Sequence, residues 1–378
     1  MDSQQQAWYE ELYELVTGDY SEAVEAQLAV WENRLPQRQP LLLHCALSPE
    51  QAARFPDYNY GEIHQDRAKM LLQGMKGMLS AVVAGMQSVP SLRANMGCGI
   101  FPSLFPGIEP LLFEDWRMPW VVHHLTHDEI RGLREKDIKI TDEFRIALDH
   151  MAYLSEKIAG TGSFVFPLDL QGPFDTAHIV YGDQFFYDLY DEPELIHHLL
   201  ELSTYAIRLG LDECLKIIPN SDRLLAHYND VVLPRGRGGI KVSEDTSTLV
   251  SAEHIDEFVI PYTRQVLAYA GGGYIHYCGK NDHLFKRMIE QELVRGLNFG
   301  NPEKQDMDDF LCRISQADKV YYGSVPMLEG ETDVAFFKRV TASATVNGKC
   351  RLLLQYYASY EERDRIREAW REATAGNF

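Results

Sequence analysis

Basic residues are scarce in this chain of 378 residues: 36 lysines and arginines stand against 56 aspartates and glutamates, for a net charge of −20. Such a surface repels phosphate backbones and anionic lipid heads, which argues against a nucleic-acid or polybasic membrane role and still leaves room for a small positive pocket. Cysteine is sparse as well. Six thiols (Cys45, Cys98, Cys214, Cys278, Cys312 and Cys350) are widely scattered with no Cys-x-x-Cys pair, so reduced thiols in a cytoplasm are expected rather than a disulfide framework. No run approaches the roughly 18–20 apolar residues of a membrane span. The opening Met1-Asp2-Ser3-Gln4-Gln5-Gln6 lacks the basic and apolar regions of a secretory signal. Internal repeats, low-complexity tracts and long Gly/Ser linkers are missing too. The expectation is a soluble, cytoplasmic protein.

What is present is an ordinary 45% of hydrophobic residues, enough to bury a large core. Residues 1–36 read as a helical extension, with apolar side chains at helical spacing (Leu12, Leu15, Val16; Val24, Leu28, Trp31) broken near Gly18-Asp19. From 37 to 378 short apolar runs alternate with amphipathic stretches. Candidate strands are 41–44, 91–95, 164–168, 240–243, 274–277, 294–299, 320–323 and 351–356, mostly separated by one helix each. That alternation predicts an α/β protein with a parallel sheet covered by helices, and eight units fit a (β/α)8 TIM barrel forming one domain. An open doubly wound sheet is the rival, but it usually carries a Gly-rich phosphate turn after its first strand, and none stands here.

In such a barrel the working residues lie at the C-terminal ends of the strands. Those ends deliver His44, Asn95, Asp169, Glu244, the His276/Cys278 pair, Asn298, Ser324, and Gln355 with Tyr357. The sharpest feature is Gly271-Gly272-Gly273-Tyr274-Ile275-His276-Tyr277-Cys278-Gly279. Strand alternation puts Tyr274, His276 and Cys278 on one face and Ile275 and Tyr277 on the other. Imidazole and thiolate at i and i+2 can converge on one metal, and the pair favours zinc. The plainer reading is a buried cysteine acting as a small hydrophobe. Other histidines read as structural: His123, His124 and His127 beside Trp116, Pro119 and Trp120 as a packed loop, and His197-His198 inside an amphipathic helix.

His276-Tyr277-Cys278-Gly279-Lys280-Asn281, followed by Asn298, resembles the His-x-Cys-Gly-Asn signature of the uroporphyrinogen decarboxylase superfamily. It is closer to the cobalamin-dependent methyltransferase branch than to the decarboxylases proper. Asp169 to Ala177, with Gly172-Pro173-Phe174, and Asp191-Glu192-Pro193-Glu194 are similar to two more of its stretches; so is Ser243 to Ser247. The resemblance implies a (β/α)8 barrel, a zinc ion, a methyl group moved between a corrinoid protein and a thiol or small methylated substrate, and Asp169, Asn298 and Tyr181 orienting the acceptor. His44, Asn95, Gln355 and Tyr357 are the expected substrate-binding residues. The decarboxylases carry an Arg-rich N-terminal segment for a polycarboxylate, and residues 41–66 here hold only Arg54. The zinc enzymes add a cysteine at the end of the last strand. Cys350 is a doubtful match, because it precedes that strand and lies about 20 Å from the strand's far end. Glu244 is the expected third ligand, with Asp245 pointing away; a capping or salt-bridged carboxylate is its plainer role. Two other readings stand beside methyl transfer: a cofactor-free decarboxylase using Asp169 for proton handling, and a non-catalytic barrel binding a tetrapyrrole or a protein.

Overall fold

The computed structural model describes residues 1–375 apart from 114 and 116, so Trp116 and positions 376–378 lie outside the described residues. Two helices open the chain, α1 (Ser3–Val16) and α2 (Ser21–Trp31). Asp2 caps the first by accepting from the amides of Gln4 and Gln5, while the Gln5 side chain bonds back to the Asp2 amide. The break falls at residues 17–20, where Gly18 was expected to interrupt the pattern.

The strands that pair in parallel are β1 (Leu41–Cys45), β2 (Ser91–Leu92), β3 (Phe164–Val165), β4 (Ile240–Ser243), β5 (Gly273–Tyr277), β6 (Val294–Phe299), β7 (Val320–Gly323) and β8 (Leu352–Ala358). Each lies at a position where the apolar pattern predicts one. Six of them form a single parallel sheet in the order β1-β8-β7-β6-β5-β4. β2 and β3 pair in parallel, and the chain after β3 reaches β4 through a parallel bridge, Gln171 to Ser243, and a 2.7 Å bond from the Gly172 amide to the Ser243 carbonyl. The neighbour order therefore follows the chain from β2 to β8 and then to β1.

Between β1 and β2 the contacts are of another kind. The Gln87 amide donates to the Leu41 carbonyl (3.2 Å) and Ser88 Oγ to the Leu43 carbonyl (3.0 Å). An antiparallel hairpin, Leu224–His227 with Val231–Pro234, puts Asp230 into the same join. Its carboxylate accepts from the Ser91 amide and hydroxyl and lies 3.8 Å from His44 Nδ1.

The two faces of the sheet are cleanly divided. Leu41, Leu43, Val242, Ile275, Tyr277, Leu297, Phe299, Tyr321, Leu352 and Leu354 join the large core under the helices. Leu42, Tyr274, Val320, Tyr322 and Leu353 form a separate inner cluster, closed by Val30 and Trp31 of α2 and by Val231 and Leu233 of the hairpin. Two-sided burial explains the near-continuous apolar runs, and each such side chain contributes about 1.5–3 kcal/mol. Trp31 fits because position 296 is glycine: a Cβ there would lie 2.8 Å from the indole ring. No described helix is long and apolar enough to cross a membrane.

Candidate metal centre

The site is built at the C-terminal edge of β4, β5 and β6. Parallel register places Ser243, His276 and Asn298 side by side on three adjacent strands. The side-chain amide of Asn298 donates to the Tyr322 carbonyl, which turns its Oδ1 towards His276 Nδ1. An oxygen can only accept, so Nδ1 carries the imidazole proton and Nε2 keeps a free lone pair. Burial, and then the nearby Lys241 charge, lower the His276 pKa and favour this neutral ring.

Nε2 lies 3.6 Å from Cys278 Sγ and 3.7 Å from Asp245 Oδ1, and the three donor atoms all fall within 4.8 Å of one another. Cys278 is exposed, and Gly300 leaves its sulfur room, since a Cβ at position 300 would collide with Sγ. Burial and the Asp245 charge push the thiol up to about 11, so it is neutral at pH 7 until a cation joins the cluster. One nitrogen, one sulfur and one oxygen donor with an exposed side make a mixed donor set open to a further ligand. These residues could hold a metal ion.

The third member is Asp245 and not Glu244, which corrects the expected orientation. Glu244 shares the parity of Ile240 and Val242 along the strand, so it faces the helices. There it is wholly buried and accepts from Ser247 Oγ (3.0 Å) and Thr263 Oγ1. Asp245 follows on the inner side, where its carboxylate accepts from the Cys278 amide. Asp175 holds this turn from behind, accepting from the amides of Asp245 and Thr246 at 2.8 Å each. Burial and the Asp245 charge raise Asp175 to about 7; burial and Asp175 in turn raise Glu244 well above the usual carboxylate range.

The remaining expected residues are spread over the inner face and beyond it. Asp169 Oδ1 lies 3.0 Å from Lys241 Nζ and 3.1 Å from Arg93 Nη1. Burial alone would raise its pKa, but the two cations outweigh burial and hold it far below the usual range. His44 is buried, stacks on Tyr357 at 5.3 Å and lies 3.4 Å from Ser80 Oγ. Gln355 is occupied by the Tyr322 hydroxyl (2.8 Å). Asn95 keeps a buried amide oxygen with no hydrogen-bond partner among the described residues.

Two expected residues lie elsewhere. Tyr181 belongs to the core under the helices and donates to Asp188, so its hydroxyl is not directed at the triad. Cys350 lies before β8, buried, with its thiol 3.8 Å from the Thr341 carbonyl and raised to about 12 by burial. The other histidines bond locally: His124 to the Ile179 carbonyl, His197 to the Tyr262 hydroxyl and His198 to the Leu133 carbonyl.

Sequence comparison finds no matching family and no matching curated protein. Structural comparison is informative. A solved methyltransferase from Methanosarcina mazei superposes with a TM-score of 0.63, covering 93% of this chain and 98% of that chain at 14% identity. The chain shares that protein's fold. At such an identity the likeness speaks for an α/β architecture with a parallel sheet, and the chemistry must be argued from the side chains.

Proposed function

We propose that this chain is a (β/α)8-barrel methyltransferase that holds zinc on Asp245, His276 and Cys278 and moves a methyl group between a corrinoid, presented by a partner protein in the cytoplasm, and a thiol or small methylated substrate. The observation that carries this reading is the tautomer of His276 set by Asn298, which leaves Nε2 free beside a thiol and a carboxylate at the C-terminal ends of adjacent parallel strands. The fold likeness to a methyltransferase and the His-x-Cys-Gly signature agree with it.

Zinc held there would lower the pKa of a substrate thiol, so that the nucleophilic thiolate is available near neutral pH. The protein's own contribution is positional. Asn298 keeps the proton on Nδ1 and fixes the ring plane. Asp175 clamps the turn that carries Asp245. Gly300 clears the space beside the sulfur, and Lys241 adds positive charge that favours a deprotonated Cys278. His44 and Tyr357, stacked at the ends of β1 and β8, would meet the substrate together with Asn95, and Asp169 would supply a fixed negative charge.

The decarboxylase reading has less support, because Asp169 is clamped by two cations in its ionised form and has no proton to give. The deciding experiment is metal analysis of the purified protein joined to a methylcobalamin–thiol transfer assay. Stoichiometric zinc that disappears in His276→Ala and Cys278→Ala, together with thiol methylation lost in the same variants, is the expected result. Turnover of a carboxylated substrate by metal-free protein would replace this reading with the decarboxylase. Neither metal nor turnover, with a tetrapyrrole or protein still bound, would leave the non-catalytic barrel.

A further inference from the structure

Three charged groups meet on the inner face where β2, the end of β3 and β4 adjoin. Arg93 Nη1 and Lys241 Nζ both approach the same atom, Asp169 Oδ1, at 3.1 and 3.0 Å, and the three side chains are only 13%, 13% and 12% exposed. Two cations against one carboxylate leave the cluster with a single positive charge. Among the described residues no second carboxylate lies within 4 Å of either cation, the next acidic group, Asp245, being engaged with His276 and the Cys278 amide. His227 is buried and neutral, its Nδ1 accepting from the Tyr228 amide at 2.7 Å, and Tyr274 keeps its phenolic proton. The other close groups are rings: Phe166 and Tyr228 lie 5.9 and 5.8 Å from the Arg93 guanidinium.

An excess cation held away from water in this way is costly unless an anion joins it. It is the more notable in a chain of net charge −20. A second observation lies two residues further along the chain, where Asn95 Oδ1 is buried without a hydrogen-bond partner among the described residues. A third is location. Lys241 pairs in register with Tyr274, one inner-face step before the Ser243–His276 pair, and its charge is felt at both His276 and Cys278.

We propose that Arg93 and Lys241 form a carboxylate subsite, so that the group acted on at Asp245, His276 and Cys278 is carried by a carboxylic acid. This rests on the methyl-transfer reading for the identity of the reacting group, and on the charge cluster alone for the subsite. A single carboxylate matches the single surplus charge, and its planar oxygens suit the guanidinium fork. The lone acceptor on Asn95, two residues from Arg93 in the chain, would take a donor on the same substrate, such as a hydroxyl or an ammonium.

Calorimetry on the full chain tests both layers separately. With metal-free protein, propionate should bind and propionamide should not. Arg93→Gln and Lys241→Met should each weaken propionate by roughly tenfold or more, the scale of a charge-assisted bond. Asp169→Asn, which frees both cations, should tighten it, and this variant carries the test if either cation variant fails to fold. With zinc-loaded protein, 3-mercaptopropionate should bind at least about tenfold more tightly than 3-mercaptopropionamide, and Arg93→Gln should erase the difference. Equal affinity for acid and amide, or propionate binding indifferent to these variants, would overturn the subsite and make the trio a purely structural ion cluster. Absence of zinc binding with propionate still held would instead sink the metal reading and leave the subsite standing.

Discussion

Asn298 and His276 face one another across adjacent strands, and the asparagine decides which imidazole nitrogen is free. Its amide group is spent on the Tyr322 carbonyl, so its oxygen can only receive the Nδ1 proton.

Asn298→Ala should therefore weaken zinc binding by about 10–100-fold while leaving the fold intact. Competition against a chromophoric chelator measures the first, and a thermal melt the second. The nitrogen chemical shifts of His276 provide a direct readout, since loss of the Nδ1–H tautomer should appear in the metal-free protein.

Asp245 and Glu244 are consecutive carboxylates with opposite surroundings, one beside the thiol and the other behind the sheet. Asp245→Ala should abolish stoichiometric metal. Glu244→Gln should retain it, because the amide oxygen can still accept from Thr263 or Ser247. Loss of metal in Glu244→Gln alone, with metal kept in Asp245→Ala, would reverse the assignment.

The Cys278 thiol, at about 11, and the buried Cys350, at about 12, differ far more in access than in acidity. In metal-free protein, alkylation by iodoacetamide should be slow at pH 7 and accelerate steadily as pH rises towards 11, with Cys278 modified well ahead of Cys350. Added zinc should protect Cys278. Mass mapping of the labelled peptides at several pH values checks both outcomes.

Asp230 gives a stability prediction with a definite sign. Burial raises its carboxyl from 3.8 to about 7, although its bonds with Ser91 pull the other way. Below about pH 4 both folded and unfolded chains carry the proton. Between about 4 and 7 only the folded chain keeps it, so this group makes stability fall as pH rises, by up to roughly 1.4 kcal/mol per pH unit. Asp230→Asn removes that slope, and the backbone at φ +63° suits asparagine. Urea unfolding from pH 4 to 8 should show the variant gaining on the parent as pH increases.

Much of the architecture is legible in the sequence because two-sided burial writes strands as apolar runs. All eight parallel strands fall where those runs predict, and the two opening helices break where Gly18-Asp19 interrupts the pattern. The hairpin from Leu224 to Pro234 escaped that reading, although two short apolar runs around Tyr228-Asn229-Asp230 are a hairpin signal. The helix Pro173–Tyr181 escaped too, its apolar residues on nearly every side leaving no amphipathic stripe. At the site, His276, Cys278 and Asn298 follow from strand ends and alternation. The choice between Glu244 and Asp245 follows from the same alternation once its phase is anchored on Ile240 and Val242. What no pattern contains is the third dimension: Asp175 bonding to the amides of residues seventy positions away, or two cations sharing one oxygen of Asp169.

The indole of Trp31 rests against Gly296, Val320 and Leu353, and this has a consequence for synthesis on the ribosome. Helix α2 finds its first partners early, at Gln87 and Val89, and more of them in the hairpin around Val232, but the seat of its indole is completed only by strands made later still. Until Gly296 and its neighbours have been made, the aromatic edge of Trp31 stays available to chaperones.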